Sequence, residues 1–224
     1  MATSVEAAER AAAHSSGITH ALVAWVQGHR QVATYASGAL LLGVLLFAWN
    51  TWSSRQTEVR AGAALSAARS AFESRNYPLA ASELARLVEN YAGTNAAEEG
   101  TLLLANVRIQ QGQVAQAIEL LQRLAPSASR SYQAQAYGLL AAALETQGQL
   151  RPAAEAYEEG SKRAVWDWMK AQLLAEAGRV WGQAGDTTRA VASYARVVKD
   201  FGERGPATEA KVRLGELTKG AWAP

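Results

Sequence analysis

Two hydrophobic patterns divide this chain. From Val32 to Trp49 eighteen residues, VATYASGALLLGVLLFAW, run without an Asp, Glu, Lys, Arg or His. After Arg55, apolar residues instead recur at helical spacing, broken at regular intervals by short polar turns. The first pattern predicts a helix that is apolar all round. At ~1.5 Å per residue it is ~27 Å long, close to the ~30 Å hydrocarbon core of a bilayer. A globular core helix of that length shows a polar stripe, and this stretch shows none. The expectation is therefore a membrane span over 31–52, in contact with a lipid bilayer. Trp49 and Trp52 stand at one end of it, where amphipathic rings prefer the headgroup level.

The tail before it, 1–30, carries Ile18, Leu22, Trp25 and Val26 on one helical face. Two readings stay open. Either this stripe lies in the membrane interface, with Trp25 as an anchor, or it forms the first turns of the membrane helix, bent near Gly28. No A-x-A pattern stands after the apolar run, so a retained signal anchor is expected and a cleaved signal peptide is not. Arg10 and Arg30 precede the span and Arg55 and Arg60 come after it. The positive-inside rule is then close to a tie.

The second pattern is periodic. Ala80, Ala117, Ala153 and Ala190 stand 37, 36 and 37 residues apart. Gly112, Gly148 and Gly185 keep the same register ahead of the last three alanines, where a helix must end and turn; Arg75 takes that place in the first unit. A small residue precedes each turn (Ala68, Ala105, Ala141, Gly178), and a large one stands four positions after each repeat alanine (Leu84, Leu121, Tyr157, Tyr194). Small residues at a helix crossing let two backbones approach, and the bulky residue one turn on fills the space beside it. One such hairpin cannot bury its apolar face alone, so hairpins at this period stack into a solenoid.

These features resemble the tetratricopeptide repeat, across roughly Ala61 to Phe201. The departures are a period of 36 to 37 in place of 34, no helix-ending proline in its usual place, and no turn glycine in the first unit. The expected fold is all-α: one N-terminal transmembrane helix, then a tetratricopeptide-like α-solenoid of about four hairpins over 55–204, then a capping helix and tail over 205–224. The expected helix pairs are Glu58 to Arg75 with Pro78 to Tyr91, Ala96 to Gln111 with Val114 to Leu124, Ser131 to Gln147 with Arg151 to Arg163, and Trp168 to Gln183 with Thr187 to Phe201. A ninth helix is expected from Ala207 to Thr218. One span leading into such a body also resembles the bacterial single-span ancillary proteins that attach to the Sec translocon and to periplasmic chaperones. That resemblance implies a bacterial inner-membrane protein with a cytoplasmic tail and a periplasmic repeat domain.

Composition narrows the chemistry. The chain has 224 residues, 22 basic against 20 acidic, a net charge of +2 and no cysteine. Two of each sign precede Arg55, so the body is nearly balanced and lacks the concentrated basic face of a nucleic-acid domain. Disulfides, thiol catalysis and Cys-ligated metals are excluded. His14, His20 and His29 all precede the span, which leaves the body without the residues of zinc sites or Ser-His nucleophiles. No cofactor, metal or catalytic site is expected, nor any nucleic-acid partner. Glu98-Glu99 and Glu158-Glu159 are adjacent pairs that do not face each other on a helix, and are read as solvated faces.

The expectation is a non-enzymatic, membrane-anchored scaffold that binds other membrane or periplasmic proteins, as an ancillary subunit of a secretion or chaperone assembly. The alternative is a structural subunit of a large photosynthetic or respiratory complex. The first helix of each hairpin is expected to line a concave surface, through Asn106, Gln110, Gln133, Gln135, Lys170 and Gln172, that is polar and nearly neutral. Trp166 and Trp168 flank Asp167 just before a helix, and two readings stand: exposed contact anchors, or core between the third and fourth hairpins. Trp222 is a further candidate anchor. Ala80, Ala117, Ala153 and Ala190 are the candidate packing positions.

Overall fold

The computed structural model describes residues 30–202 and 205–221, without the side chains at 30, 33, 36 and 37. Nine helices are present among them: α1 (Arg30–Glu73), α2 (Tyr77–Asn90), α3 (Asn95–Gln110), α4 (Val114–Ser127), α5 (Gln133–Thr146), α6 (Leu150–Arg163), α7 (Asp167–Gln183), α8 (Thr187–Phe201) and α9 (Gly205–Thr218). The chain divides into two units, Met1–Arg55 and Gln56–Pro224, and α1 has residues in each.

In the first unit, one difference from expectation is the absence of a break between 52 and 58. The expected span ends at 52 and the expected first repeat helix begins at Glu58, yet α1 is a single helix of 44 residues. Its described apolar residues from Val32 to Trp52 are exposed, Leu40 by 71% and Phe47 by 71%. Among the described residues no helix is long and apolar enough to cross a membrane. Positions 33, 36 and 37 of the expected span lie outside the described side chains, and the run from Gly38 to Trp49 is by itself shorter than the ~20 residues a span needs. The expected apolar stripe of the tail, Ile18, Leu22, Trp25 and Val26, lies outside the described residues.

The second unit is four helical hairpins and a cap. In the first hairpin Ala61, Leu65 and Ala68 of α1 share one buried cluster with Ala80, Leu84 and Leu87 of α2; the other hairpins pair α3 with α4, α5 with α6, and α7 with α8, and α9 packs on α8 and α7. Each hairpin turns by the same device. The N–H groups of Asn76, Gln113, Gln149 and Asp186 donate back to the carbonyls of Ala71, Arg108, Leu144 and Trp181 at 2.8–2.9 Å. That closure needs a left-handed residue just before the donor. Gly112, Gly148 and Gly185 supply it at φ 76°, 73° and 79°, and Arg75 supplies it at φ 59°.

These turns bring the paired helices into close contact at their crossings. Ala80, Ala117, Ala153 and Ala190 are each fully buried, as are Ala68, Ala105 and Ala141. In the fourth unit Gly178 lies under Tyr194, and a Cβ there would sit 3.1 Å from three ring atoms. The smallest crossing residue thus faces one of the two largest fillers. Three buried clusters succeed one another along the array: Ala61 to Val107, Ala105 to Ala190, and Ala171 to Leu214.

Candidate protein-docking groove

Neighbouring hairpins are tied by carboxylates that cap the next unit. The backbone N–H groups of Asn95 and Ala96, at the start of α3, donate to the Glu58 carboxylate at 3.1 and 3.0 Å. Ser129 N–H donates to both oxygens of Glu98 at 3.0 and 3.1 Å. Asn95 and Ala96 are orphan donors of the first turn of α3, where the helix dipole is positive, so the Glu58 carboxylate stabilises that end, whereas Glu98 holds the turn that leads into α5. The reading of the glutamate pairs as solvated faces is therefore corrected. Glu98 accepts from Ser129 N–H, Glu99 pairs with Arg69, Glu158 accepts from the Trp181 indole N–H at 2.8 Å, and Glu159 pairs with Lys162 and Arg163. Such partners lie up to thirty or so residues away, and adjacency in sequence does not reveal them.

The first helices of the hairpins line a groove with two depressions. One, of about 320 Å³, is bounded by Arg69 on α1, by Glu99, Leu102, Leu103 and Asn106 on α3, and by Gln135 and Leu139 on α5. The other, of about 410 Å³, lies between α5 and α7 and includes Leu139, Trp168, Met169, Gln172 and Leu173. Gln135 and Leu139 border both, so they form a ridge between them.

This corrects the expected polarity of the surface. Asn106, Gln135 and Gln172 line it as expected, but leucines and Met169 share it. Gln133 instead donates to the Pro126 carbonyl at 3.2 Å, Gln110 is exposed outside both depressions, and Lys170 pairs with Asp167 at 3.0 Å. Leu103 and Leu139 hold the same register, two residues before the crossing alanines Ala105 and Ala141. Reading that register along the repeat, in place of the polar positions alone, finds them.

The charges at the groove are already engaged. Arg69 is paired with Glu99, to which Tyr132 also donates its hydroxyl at 3.3 Å. Three units on from Arg69, Arg179 donates Nη1 and Nη2 to the two Glu145 oxygens, both at 2.8 Å, and Nε to Glu176 at 2.7 Å. Hydrogen bonds from Arg179 hold the Glu145 carboxyl below its usual range. Those from Glu145 hold the Arg179 guanidinium further above its own. Beneath them, burial pushes the Tyr157 phenol up to about 12.

The tryptophans separate. Trp181 is buried at 1% exposure, with Arg189 4.4 Å above its ring centroid. Trp166 and Trp168 are exposed by 63% and 54% beside Val165 at 41%. The core reading of that pair is overturned: Trp166 precedes the first turn of α7, outside the interface between the hairpins. Trp49 and Trp52 are exposed, their ring centroids 5.7 Å apart. Trp25 and Trp222 lie outside the described residues. No cluster of metal-ligating side chains occurs among the described residues.

Stacked hairpins around a lined groove define a helical-repeat scaffold of the protein-interaction kind. More narrowly, the chain belongs to the tetratricopeptide repeat-like domain family, whose model matches residues 25–219. Nearly identical TPR-like repeats assigned to a kinesin light chain of Podosopora anserina superpose with a TM-score of 0.56 at 19% identity, over 72% of this chain and 86% of that one. MamA superposes at 0.52 with 17% identity, over 71% and 87%. YrrB, described as a TPR protein with an unusual peptide-binding site, superposes at 0.51 with 17% identity, over 68% and 74%. At these identities the likeness is one of fold. No curated protein sequence matches the chain.

Proposed function

We propose that this chain is a non-enzymatic, membrane-anchored scaffold. In this reading α1 crosses the bacterial inner membrane once, the tail is cytoplasmic, and the repeat body stands in the periplasm. There its groove holds other proteins, as an ancillary subunit of a secretion or chaperone assembly.

The observation that carries the reading is α1 itself. One helix holds the uncharged apolar stretch at one end and the first helix of the repeat array at the other. Leu41, Leu42, Val44, Leu45 and Leu46 are 57–65% exposed, a surface far more apolar than a protein leaves in water. Trp49 and Trp52 close that stretch before the first charge at Arg55, as interfacial anchors do. The groove supplies the second half: leucines, a methionine and a tryptophan, with cations already paired, suit protein contact more than chemistry.

Detergent extraction and mass spectrometry of the intact assembly test this. The chain is expected to resist alkaline carbonate washing and to leave the membrane with secretion or chaperone subunits. Release by carbonate would sink the anchor. Co-purification with an energy-transducing complex would replace the secretion assignment.

A further inference from the structure

We propose that the segment leading into α7, Val165 and Trp166 with Trp168, is a second membrane contact, seated in the headgroup layer of the phospholipid bilayer that α1 crosses. The inference rests on the reading of α1 as an anchor, and adds a surface of the repeat body to it.

Placement selects the edge. Helices joined by short connections run antiparallel, so the connections of the array fall on two edges. The hairpin turns at 74–76, 111–113, 147–149 and 184–186 share one edge; the links between units at 91–94, 128–132 and 164–166 share the other. At this second edge α1 enters the repeat body. Glu58 accepts from Asn95 and Ala96 at the start of α3, and Glu98, in the first turn of α3, reaches Ser129 in the next link. In the third link Ser161 of α6 donates its hydroxyl to the Lys170 carbonyl, in the first turn of α7, at 2.9 Å. Glu58 stands six residues after Trp52 in one helix. With α1 as the anchor, this edge is where the chain passes from bilayer to repeat body.

Composition selects the partner. At the register of Trp166 the two earlier links carry Arg130 and Gly93, and at that of Trp168 they carry Tyr132 and Asn95. Packing between units therefore does not require tryptophan at either position, yet both rings and Val165 are exposed. An occupant of the groove would leave most of this patch bare: Trp168 borders one depression, but Val165 and Trp166 border neither. Indole rings, apolar with one N–H at the edge, settle at headgroup level. Lys162, Arg163 and Lys170 flank them against Glu159 and Asp167, three cations to two anions. That excess favours an anionic lipid only slightly, so the rings carry the contact. Because α1 already holds the chain at the surface, the second contact is intramolecular and needs little affinity of its own.

The chain has no cysteine, so single labels report single positions. The full chain with an environment-sensitive fluorophore on Val165→Cys is reconstituted in vesicles of equal parts phosphatidylcholine and phosphatidylglycerol, with and without doxyl-labelled lipid. Thr188→Cys, exposed at the opposite edge, and Leu45→Cys, in the apolar stretch of α1, are the comparison sites. The label at 165 is expected to shift to the blue and to be quenched roughly twofold or more by doxyl lipid, at low and high salt alike; the label at 188 is expected to do neither. Trp166→Ser with Trp168→Ser is expected to abolish the quenching at 165 without moving the thermal melt, since neither ring is buried. Quenching at 165 no greater than at 188 overturns the inference, as does quenching that survives loss of both rings. Shielding of 165 from aqueous iodide only in the assembly extracted with its protein subunits, and not in lipid alone, gives the tryptophans to a protein and overturns it too. In those cases quenching at 45 leaves the anchor reading standing; no quenching at 45 sinks the anchor and this inference together.

Discussion

At the residue scale, the repeat is a set of size constraints. Ala117 and Ala153 have no exposed surface and sit where two backbones approach. Ala117→Leu or Ala153→Leu should overpack a crossing and cost ~1–3 kcal/mol, lowering the melting temperature by roughly 2–4 °C per kcal/mol. Unchanged melts for both would remove the crossing role. Arg75 is the opposite case. It holds a left-handed turn at φ 59° that its three counterparts fill with glycine, and a side chain there costs about 1 kcal/mol. Arg75→Gly is therefore expected to stabilise the protein by ~0.5–1 kcal/mol, read as a higher urea midpoint at unchanged slope. The tryptophans contrast likewise. Trp181→Ala should cost ~3–5 kcal/mol of stability, whereas Trp168→Ala should leave the melt nearly unchanged and, if it anchors a partner, cost ~2 kcal/mol or more of binding. The sequence made the crossings legible because small residues recur at a fixed step. It left Trp168 undecided because a tryptophan beside a helix start suits a rim and a core equally.

At the element scale, the turns were legible and the ties between units were not. A glycine and then a polar residue mark a left-handed helix end locally, so the hairpin bounds fall within a few residues of where periodicity puts them. Glu58 capping α3, or Arg179 bridging Glu145, depends on which helices meet, and no local pattern encodes that. The continuity of α1 was also hidden, since Ser53-Ser54 weakens a helix only slightly and the repeat packing downstream outweighs it. The Arg179–Glu145 tie carries a pH signature. Glu145 titrates below its ordinary 4.5 in the folded state. Its contribution is fully present above pH ~4.5 and is lost as pH falls through the lower folded value. Arg179→Gln should be less stable at pH 7 and lose part of the acid dependence of the urea midpoint at pH values below about 5. An identical acid limb in the variant would show the tie to be idle. At the alkaline end, burial of Tyr157 leads to the reverse sign. Stability holds below pH ~10 and falls as pH rises toward about 12, because the unfolded chain gives up the phenol proton first. Tyr157→Phe should soften that alkaline limb.

At the scale of the whole molecule, the proposed membrane anchor raises the question of which side of the membrane the repeat body would occupy. The body is expected outside the cytoplasm, on the architectural resemblance to single-span ancillary proteins. Charge contributes little: Arg10 and Arg30 stand before the apolar stretch, Arg55 and Arg60 after it. Orientation tracks the bias in Lys and Arg within ~15–20 residues of the span ends, and at that range Arg30 stands alone on the first side against Arg55, Arg60 and Arg69 on the second. Taken strictly, this local count favours the opposite orientation by two charges, so the proposed orientation must be held by something beyond charge, such as the tail or a partner. The prediction is therefore double. A reporter that folds only outside the cytoplasm, fused after Pro224, should be active in the natural chain. Replacing Arg30 by Gln should deepen the unfavourable count and yield a mixed population, while replacing Arg55 and Arg60 by Gln should leave a single orientation with the reporter still active. Activity from a reporter that works only in the cytoplasm, strongest in the natural chain and lost in the Arg55 and Arg60 double variant, would reverse the assignment and place the groove's partners among cytoplasmic proteins.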